Sequence, residues 1–428
     1  MSATGMGGRT GLPPFDAVAR ALRVTTERLA RELARPRDDA PDWSAFEWDV
    51  ARAVAVMQGI SVALARTLRW QGPAVWQDFL ARQRAQSPRR HEKIGELLER
   101  IDQAARRRSI PLIALKGSAL RKLGVMRNFS ERPMADVDLL IRPADSAAIA
   151  GVLDEIGYDL IFHKARHDVF QPRDAAACGE FGESALNPVP IEVHTRISEM
   201  LPISHVDITA RIWPARVRAG INAYSGRAAL LCHVMLHCSG NMRAHAMRLN
   251  QLRDIASLSS AMTAADWEEL FDAGETWWMY PVLRLTHEYF PASIPTAVRG
   301  RARRHCPVGL RLAAERMQLT TVSWSNLRIN AFPGIEWSRS PLEALRFAKS
   351  RIAPSREALG DLESALKQSP GLQTIPWYGQ KHLTRIVRWV FGRPPRVQTM
   401  RSVLDAMAAR GAGLSPAAAH SSVRNSGP

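Results

Sequence analysis

Apolar residues recur at helical spacing over residues 15–35, pause across the proline-flanked stretch 36–41, and resume over 43–70, which predicts two long helices. Two more are predicted over 74–83 and 92–107, so the first hundred residues read as helical. The period then changes. An apolar run from Ile110 to Leu115 predicts a strand, a helical pattern opens at Gly117-Ser118, and a second apolar run from Val137 to Ile141 predicts another strand. A helix over 144–156 and strands near 158–163 and 189–197 follow, the order expected of an α/β segment with a mixed sheet. Helical spacing returns from about residue 207, over 228–239, 249–262, 266–273 and 277–289, whereas Pro291, Pro295 and the basic cluster 299–304 predict a loop or boundary, and 400–410 a last helix. No internal repeat is visible. The expected class is α+β and mostly α, a small mixed-sheet core flanked by two helical domains. These changes of pattern place the divisions at a helical amino-terminal domain (1–105), an α/β core (106–200), a helical domain (201–365), and a basic tail with an amphipathic helix and a disordered end (366–428).

With 428 residues, 46% of them hydrophobic, the chain is long enough to bury a large core. Its four cysteines, Cys178, Cys232, Cys238 and Cys306, lack the paired spacing of a zinc site and point to free thiols in a reducing compartment. Residues 1–11 are polar and glycine-rich, without a secretory h-region, and no apolar run approaches a membrane span, so a soluble cytoplasmic protein without a transmembrane segment is expected. The formal charge of +17 favours anionic partners but does not choose among nucleotide, nucleic acid, headgroup and acidic polymer. Its distribution adds something. Residues 367–428 hold nine Lys or Arg against one acidic residue, a net +8, and within them 383–391 pairs an apolar helical face with Lys381, Arg385 and Arg388. Weak contact with an anionic surface through this tail is therefore expected.

The candidate chemistry lies in three short stretches. Leu115-Lys116-Gly117-Ser118 ends a strand and opens a helix, where backbone N–H groups can face a phosphate. Asp136 and Asp138 sit two apart at a strand, so both carboxylates point one way while Val137, Leu139 and Ile141 hold the other face in the core. Glu192 offers a third carboxylate on a later strand, although Glu199 or Asp207 could stand in for it. Three carboxylates beside a phosphate cradle match the needs of one or two Mg²⁺ (or Mn²⁺) ions, which take a few protein oxygens and share the rest with substrate phosphates.

In these motifs the chain resembles the uncharacterised bacterial nucleotidyltransferases within the polymerase-β-type superfamily. That superfamily has Gly-Ser at a helix start, an Asp-x-Asp strand and a later carboxylate strand, matched here by Gly117-Ser118, Asp136 with Asp138, and Glu192. The family further favours an Arg before the aspartates, a Gly-Tyr after the next helix and a carboxylate-x-His strand, matched by Arg132, Gly157-Tyr158 and Glu192-Val193-His194. The likeness covers roughly residues 105–200 and continues more weakly through His233, His237 and Arg253-Asp254, and through residues 351–355. One departure is the seventeen residues between Ser118 and Asp136, longer than in compact members, so that this loop must fold back to join cradle and metal.

The resemblance implies a metal-dependent transfer of a nucleoside monophosphate from a nucleoside triphosphate to an acceptor hydroxyl, with release of pyrophosphate. Asp136, Asp138 and Glu192 would be the catalytic and metal-binding carboxylates. Lys116, Gly117, Ser118, Arg132 and His194 would bind the nucleotide or orient groups around it. The acceptor, whether small molecule, peptide, RNA or protein, and the base are not readable. Two alternatives stay open: a glycosyltransferase using Asp-x-Asp on a nucleotide-sugar, and an inactive nucleotidyltransferase fold acting as a polyanion-binding protein. His233 and His237, one helical turn apart, are expected to bond neighbouring helices rather than a metal, since no Glu follows His233. Asp254 is expected to pair with Arg248 or Arg253. Trp277, Trp278 and Tyr280 are expected in the core. Like-charged carboxylates on one face repel, so Asp138→Asn is expected to leave stability unchanged or raise it.

Overall fold

A six-stranded mixed sheet carries the three motifs. Its strands are β1 (Pro111–Ala114), β2 (Val137–Ile141), β3 (Tyr158–His163), β4 (His167–Pro172), β5 (Ile191–His194) and β8 (Gly220–Asn222), in the order β3-β4-β5-β2-β1-β8, while β6 (Ser198–Met200) and β7 (His205–Asp207) form a separate ribbon. β2 runs parallel to β5 and antiparallel to β1, and β4 runs antiparallel to both β5 and β3. The structure, a computed structural model, describes residues 13–124, 129–163, 167–174, 180–272, 274–328, 332–353, 387 and 396–411. Cys178 and the amphipathic stretch 383–391 apart from Val387 lie outside them. The other three cysteines are buried free thiols.

Alternation along the strands divides the sheet into two unlike faces. Val137, Leu139, Ile141, Ile191 and Val193 pack with Ile94, Leu97, Ile101, Ile149 and Val152 of helices α4 (Ala74–Arg107) and α6 (Ser146–Glu155). The opposite face carries Asp138, Glu192 and His194, with α5 (Lys116–Leu123) and the buried helix α8 (Arg227–Arg243) beside it. The remaining helices are α1 (Phe15–Glu32), α2 (Ala45–Met57), α3 (Ser61–Thr67), α7 (Thr209–Ile212), α9 (Leu249–Ser260), α10 (Ala264–Asp272), α11 (Met279–Tyr289), α12 (Thr296–His305), α13 (Val308–Ala314), α14 (Leu319–Val322), α15 (Pro341–Ile352) and α16 (Val397–Gly411). The chain is thus α+β and mostly helical, as the pattern predicts. Trp277, Trp278 and Tyr280 lie in the core.

Several elements differ from the sequence reading, among them β4 and β8, which it did not contain. The helix expected over 43–70 breaks at Gly59, whose φ of +64° favours glycine and where a Cβ would run into the side chain of Asn250. The two helices expected over 74–83 and 92–107 are one helix of 34 residues, α4, whose polar middle is buried against the loop leading to Asp136. The basic cluster 299–304 is helical within α12, where Ala302 is the buried residue and the arginines face outward or make ion pairs, so the periodic apolar signal is lost. Among the described residues no single helix is long and apolar enough to cross a membrane; α2 and α3 pass that test only together, bent by 112°.

The last described helix joins α2 in the large helical core. α16 packs on α2, with Val403 and Ala406 fully buried and the buried Arg52 donating to the Ala406 carbonyl at 2.8 Å. Thr26 of α1 bonds Ser325 at 2.7 Å, and Gln58 bonds both Ser323 and Ser325 at 2.9 Å while accepting from the Leu249 N–H that opens α9.

Candidate active site

Register alone brings the predicted carboxylates together. In the parallel pair β2–β5, Asp138 lies beside Glu192 and Leu140 beside His194, so these side chains share one face. Asp136, two residues before Asp138, adds a third carboxylate to the same cleft. Of the two stand-ins, Asp207 accepts from Thr209 and pairs with Arg196, whereas Glu199, on the β6–β7 ribbon near His237, lines a cleft together with Glu192.

Lys116 is held at the strand-to-helix corner with φ +46°, a left-handed conformation uncommon outside glycine. Its Nζ donates to Oδ1 of Asp138 at 2.8 Å, and Nε2 of His194 lies 3.1 Å from the same oxygen. The two aspartates therefore part company. Burial pushes the Asp136 carboxyl up to about 6, with Asp138 reinforcing the rise. Burial acts on Asp138 in the same sense, but Lys116 and His194 outweigh it and hold that carboxyl well below the usual range. Glu192 is likewise held low against its burial, chiefly by His194, and His194 is raised in turn by Asp138 and Glu192. The expectation that Asp138→Asn leaves stability unchanged or raises it does not fit this pairing: Asp138 is held by Lys116 and His194, and the rise falls on Asp136.

The phosphate cradle is narrower than expected. The Lys116 N–H donates to the Tyr224 hydroxyl at 3.2 Å and the Ser118 N–H to the Leu115 carbonyl at 3.0 Å, so neither is available to a ligand in this state. The Ser118 hydroxyl is buried without a protein partner at the edge of the cleft. Gly117 is needed for space: a Cβ there would strike the guanidinium of Arg132. Arg132 is brought to the site, yet both ends of its fork are committed to the buried Asp254, at 2.8 Å through Nε and 2.8 Å through Nη2. Asp254 thus pairs with Arg132 and not with Arg248 or Arg253; Arg253 instead binds Glu131 at 2.6 Å.

These contacts explain how the long loop between Ser118 and Asp136 returns. Glu131 is held by Arg66 and Arg253, Arg132 by Asp254, and the backbone by the polar middle of α4. Ser87 donates to the Ser130 carbonyl, His91 meets the Arg132 carbonyl at 2.9 Å, and Arg90 donates to Met134 and Ala135 at 2.7 and 3.0 Å and to Asn187 at 2.8 Å. Arg90 sits next to Asp136 in the chain of contacts and was not recognised from sequence. Its signal is there as Gln83, Ser87, Arg90 and His91, polar residues at helical spacing on the buried side of an otherwise apolar stripe.

Two clefts meet over the carboxylates. One, of about 270 Å³, is lined by Lys116, Ser118, Asp136, Asp138, Arg248 and Trp324 among others; the second, of about 230 Å³, by His167, Glu192, His194, Ser198, His233 and Arg243. Lys116, Glu192, His237 and Asn241 border both. A larger cavity of about 870 Å³ lies behind α5, where Asp102 is tied to Arg106 and to the Ile221 N–H, and it contains none of the three carboxylates. His233 bonds Tyr224, just before α8, at 2.7 Å and His237 meets Asn241 of its own helix at 3.1 Å, so these partners are not on the neighbouring helices that were expected; burial drives His233 down to about 3, so it stays neutral. Both nevertheless face the second cleft. Trp324, half-buried at the first cleft, and His167 were not singled out by sequence: Trp324 lies far along the chain in the turn after α14, and His167 opens a short strand whose polar ends conceal it.

The donor set fits a hard divalent cation. Three carboxylates converge, one of them raised to about 6 chiefly by burial, and among the described residues Lys116 brings an ammonium to them. The family model described as uncharacterised nucleotidyltransferase matches residues 44–291, more than half the chain, and so takes in α2 through α11 as well as the sheet. A search of curated proteins and of solved structures returns no match.

Proposed function

We propose, on the footing that the chain belongs to the family of uncharacterised nucleotidyltransferases, that it moves a nucleoside monophosphate from a nucleoside triphosphate to an acceptor hydroxyl and releases pyrophosphate. The observation that carries this reading is the parallel register of Asp138 with Glu192, with Asp136 on the same face beside the Lys116-Gly117-Ser118 helix start. Mg²⁺ or Mn²⁺ held by Asp136, Asp138 and Glu192 would supply charge neutralisation of the triphosphate. The first cleft takes the nucleotide. Its Lys116 and Arg248 face the phosphates, the Ser118 hydroxyl supplies an uncommitted donor, and Trp324 offers a flat surface to the base. The second cleft takes the acceptor, so that the two substrates meet at Glu192. The acceptor oxygen bonds to the α-phosphorus as the bond to the β-phosphate oxygen breaks, pyrophosphate leaves past Lys116, and the hydroxyl proton passes to the Glu192 carboxylate, which His194 orients. Arg132 acts through its neighbours: it fixes the Gly117 corner against Asp254.

Incubation with each α-labelled and γ-labelled nucleoside triphosphate, Mg²⁺ or Mn²⁺ and a cell extract tests this. The α-label is expected on an acceptor, with the γ-label in pyrophosphate, and both transfers are expected to vanish in Asp136→Asn. Transfer of the γ-label to an acceptor, or no α-label transfer with any nucleotide, would overturn the proposal.

A further inference from the structure

Beside the three carboxylates stands a second constellation with different chemistry. In the antiparallel pair β4–β5, His167 lies opposite His194 and Val169 opposite Glu192, so both imidazoles emerge on the carboxylate face. The two rings are 4.8 Å apart and tilted by 39°. Between them, Oε2 of Glu192 lies 3.4 Å from Nε2 of His167 and 3.7 Å from Nε2 of His194. One ligand atom from each residue falls within 4.8 Å of the other two.

Bonds of about 2.0–2.2 Å arranged tetrahedrally hold neighbouring ligand atoms roughly 3.3–3.6 Å apart. The two spacings at Glu192 match this, and the imidazole nitrogens, within 4.8 Å of each other, have to draw together to close on a zinc-type ion. The donors are also the wrong kind for magnesium, which prefers oxygen, and the right kind for a borderline-soft ion, which accepts imidazole nitrogen. Asp138 does not complete the set, because its near oxygen is bound to Lys116, and Nε2 of His194, 3.1 Å from that oxygen, must give up this contact and its proton to take the ion.

We infer that His167, Glu192 and His194 form a binding site for a nitrogen-preferring divalent ion such as Zn²⁺ or Co²⁺, separate from the Asp136–Asp138 pair. Its fourth position opens into the second cleft, which all three residues line. Binding of the ion stands on this geometry; its place on the acceptor side rests on the nucleotidyl-transfer reading. The site gives β4 a function that the carboxylates alone do not require, and makes Glu192 the residue shared by two unlike ions.

The test uses the full chain, purified without a polyhistidine tag, stripped by chelator and titrated with Co²⁺ in a large excess of Mg²⁺ while the visible absorption is recorded. One equivalent is expected to bind with the intense band of four- or five-coordinate cobalt. His167→Ala and His167→Gln are expected to weaken binding by at least the 10–100-fold that loss of even an outer partner costs, with unchanged circular dichroism, whereas Asp136→Asn is expected to keep the band. Displacement by Mg²⁺, or equal Co²⁺ binding in the folded His167 variants, would overturn the inference. A thermal shift with Mg²⁺ and nucleoside triphosphate, run alongside, separates the two proposals. Nucleotide response without a cobalt band removes this site and leaves nucleotidyl transfer standing, while a cobalt band without nucleotide response does the reverse.

Discussion

Asp136 and Asp138 are equivalent in the sequence and opposite in the structure. Their two-residue spacing made the shared face legible, and the later Glu192-Val193-His194 made the third carboxylate legible, because both follow from the pleat. Which aspartate receives the Lys116 ammonium depends on the corner at φ +46°, and no spacing reports that. The difference is measurable. Asp136 has a folded pKa raised from 3.8 to about 6, so between those values the folded chain keeps a proton that the unfolded chain has lost, and stability from this group falls as pH rises through the window. Metal-free Asp136→Asn is expected to be more stable than the parent by about 1–3 kcal/mol at pH 7.5, with the gain fading by pH 4. Denaturant unfolding at the two pH values checks this; a pH-independent difference would contradict it. Asp138→Asn should do the opposite, losing on the order of 1–3 kcal/mol as the half-buried Lys116 loses its bonded carboxylate. Lys116 has a further consequence. Metal must compete with it for Asp138, and triphosphate offers it a new anion, so each ligand should bind more tightly in the presence of the other. Calorimetry in both orders of addition measures that coupling, and independent affinities would mean that Lys116 never leaves Asp138.

Among the elements, α4 was read as two helices because its residues 84–91 are too polar for an apolar stripe. The stripe does not end there; it changes partner, from side chains to the carbonyls of Met134, Ala135, Ser184 and Asn187. Arg90 is buried, and its planar fork reaches both loops at once. Arg90→Lys, with one compact charge and no fork, is expected to cost roughly 2–4 kcal/mol and to weaken the nucleotide-induced rise in melting temperature, since Asp136 follows directly on the loop it holds. A variant with the parent's thermal shift would limit Arg90 to a structural role. At α5, Gly117→Ala should drive the Arg132 guanidinium off Asp254. Loss of the nucleotide shift with retained circular dichroism is the expected result. β4 escaped the sequence reading for a related reason: its ends, His167-Asp168 and Gln171-Pro172, are polar, and only Val169 and Phe170 are buried in the sheet.

For the whole molecule, the change of hydrophobic period located the sheet but could not say that the helices on either side of it share a core. α1, α2 and α16 pack together with the helices after residue 226, tied by Thr26–Ser325, by Gln58 and by Tyr289 donating to Glu27 at 2.8 Å. Removing residues 396–428 strips α16 from α2 and exposes Arg52, so it is expected to cost about 2–4 kcal/mol and lower the melting temperature. An unchanged melting temperature would mean that α16 adds nothing to the fold. The same continuity governs when the protein can act. Lys116, Asp136, Glu192, His237, Arg248 and Trp324 border one pair of clefts although more than two hundred positions separate the first from the last. A chain emerging from the ribosome holds all its carboxylates long before it holds Trp324, and such distant contacts form late because their loop-closure entropy must be met first. On the proposed reading the nucleotide cleft is incomplete until Trp324 has docked, so a chain cut short before that residue is expected to show no nucleotide-induced rise in melting temperature.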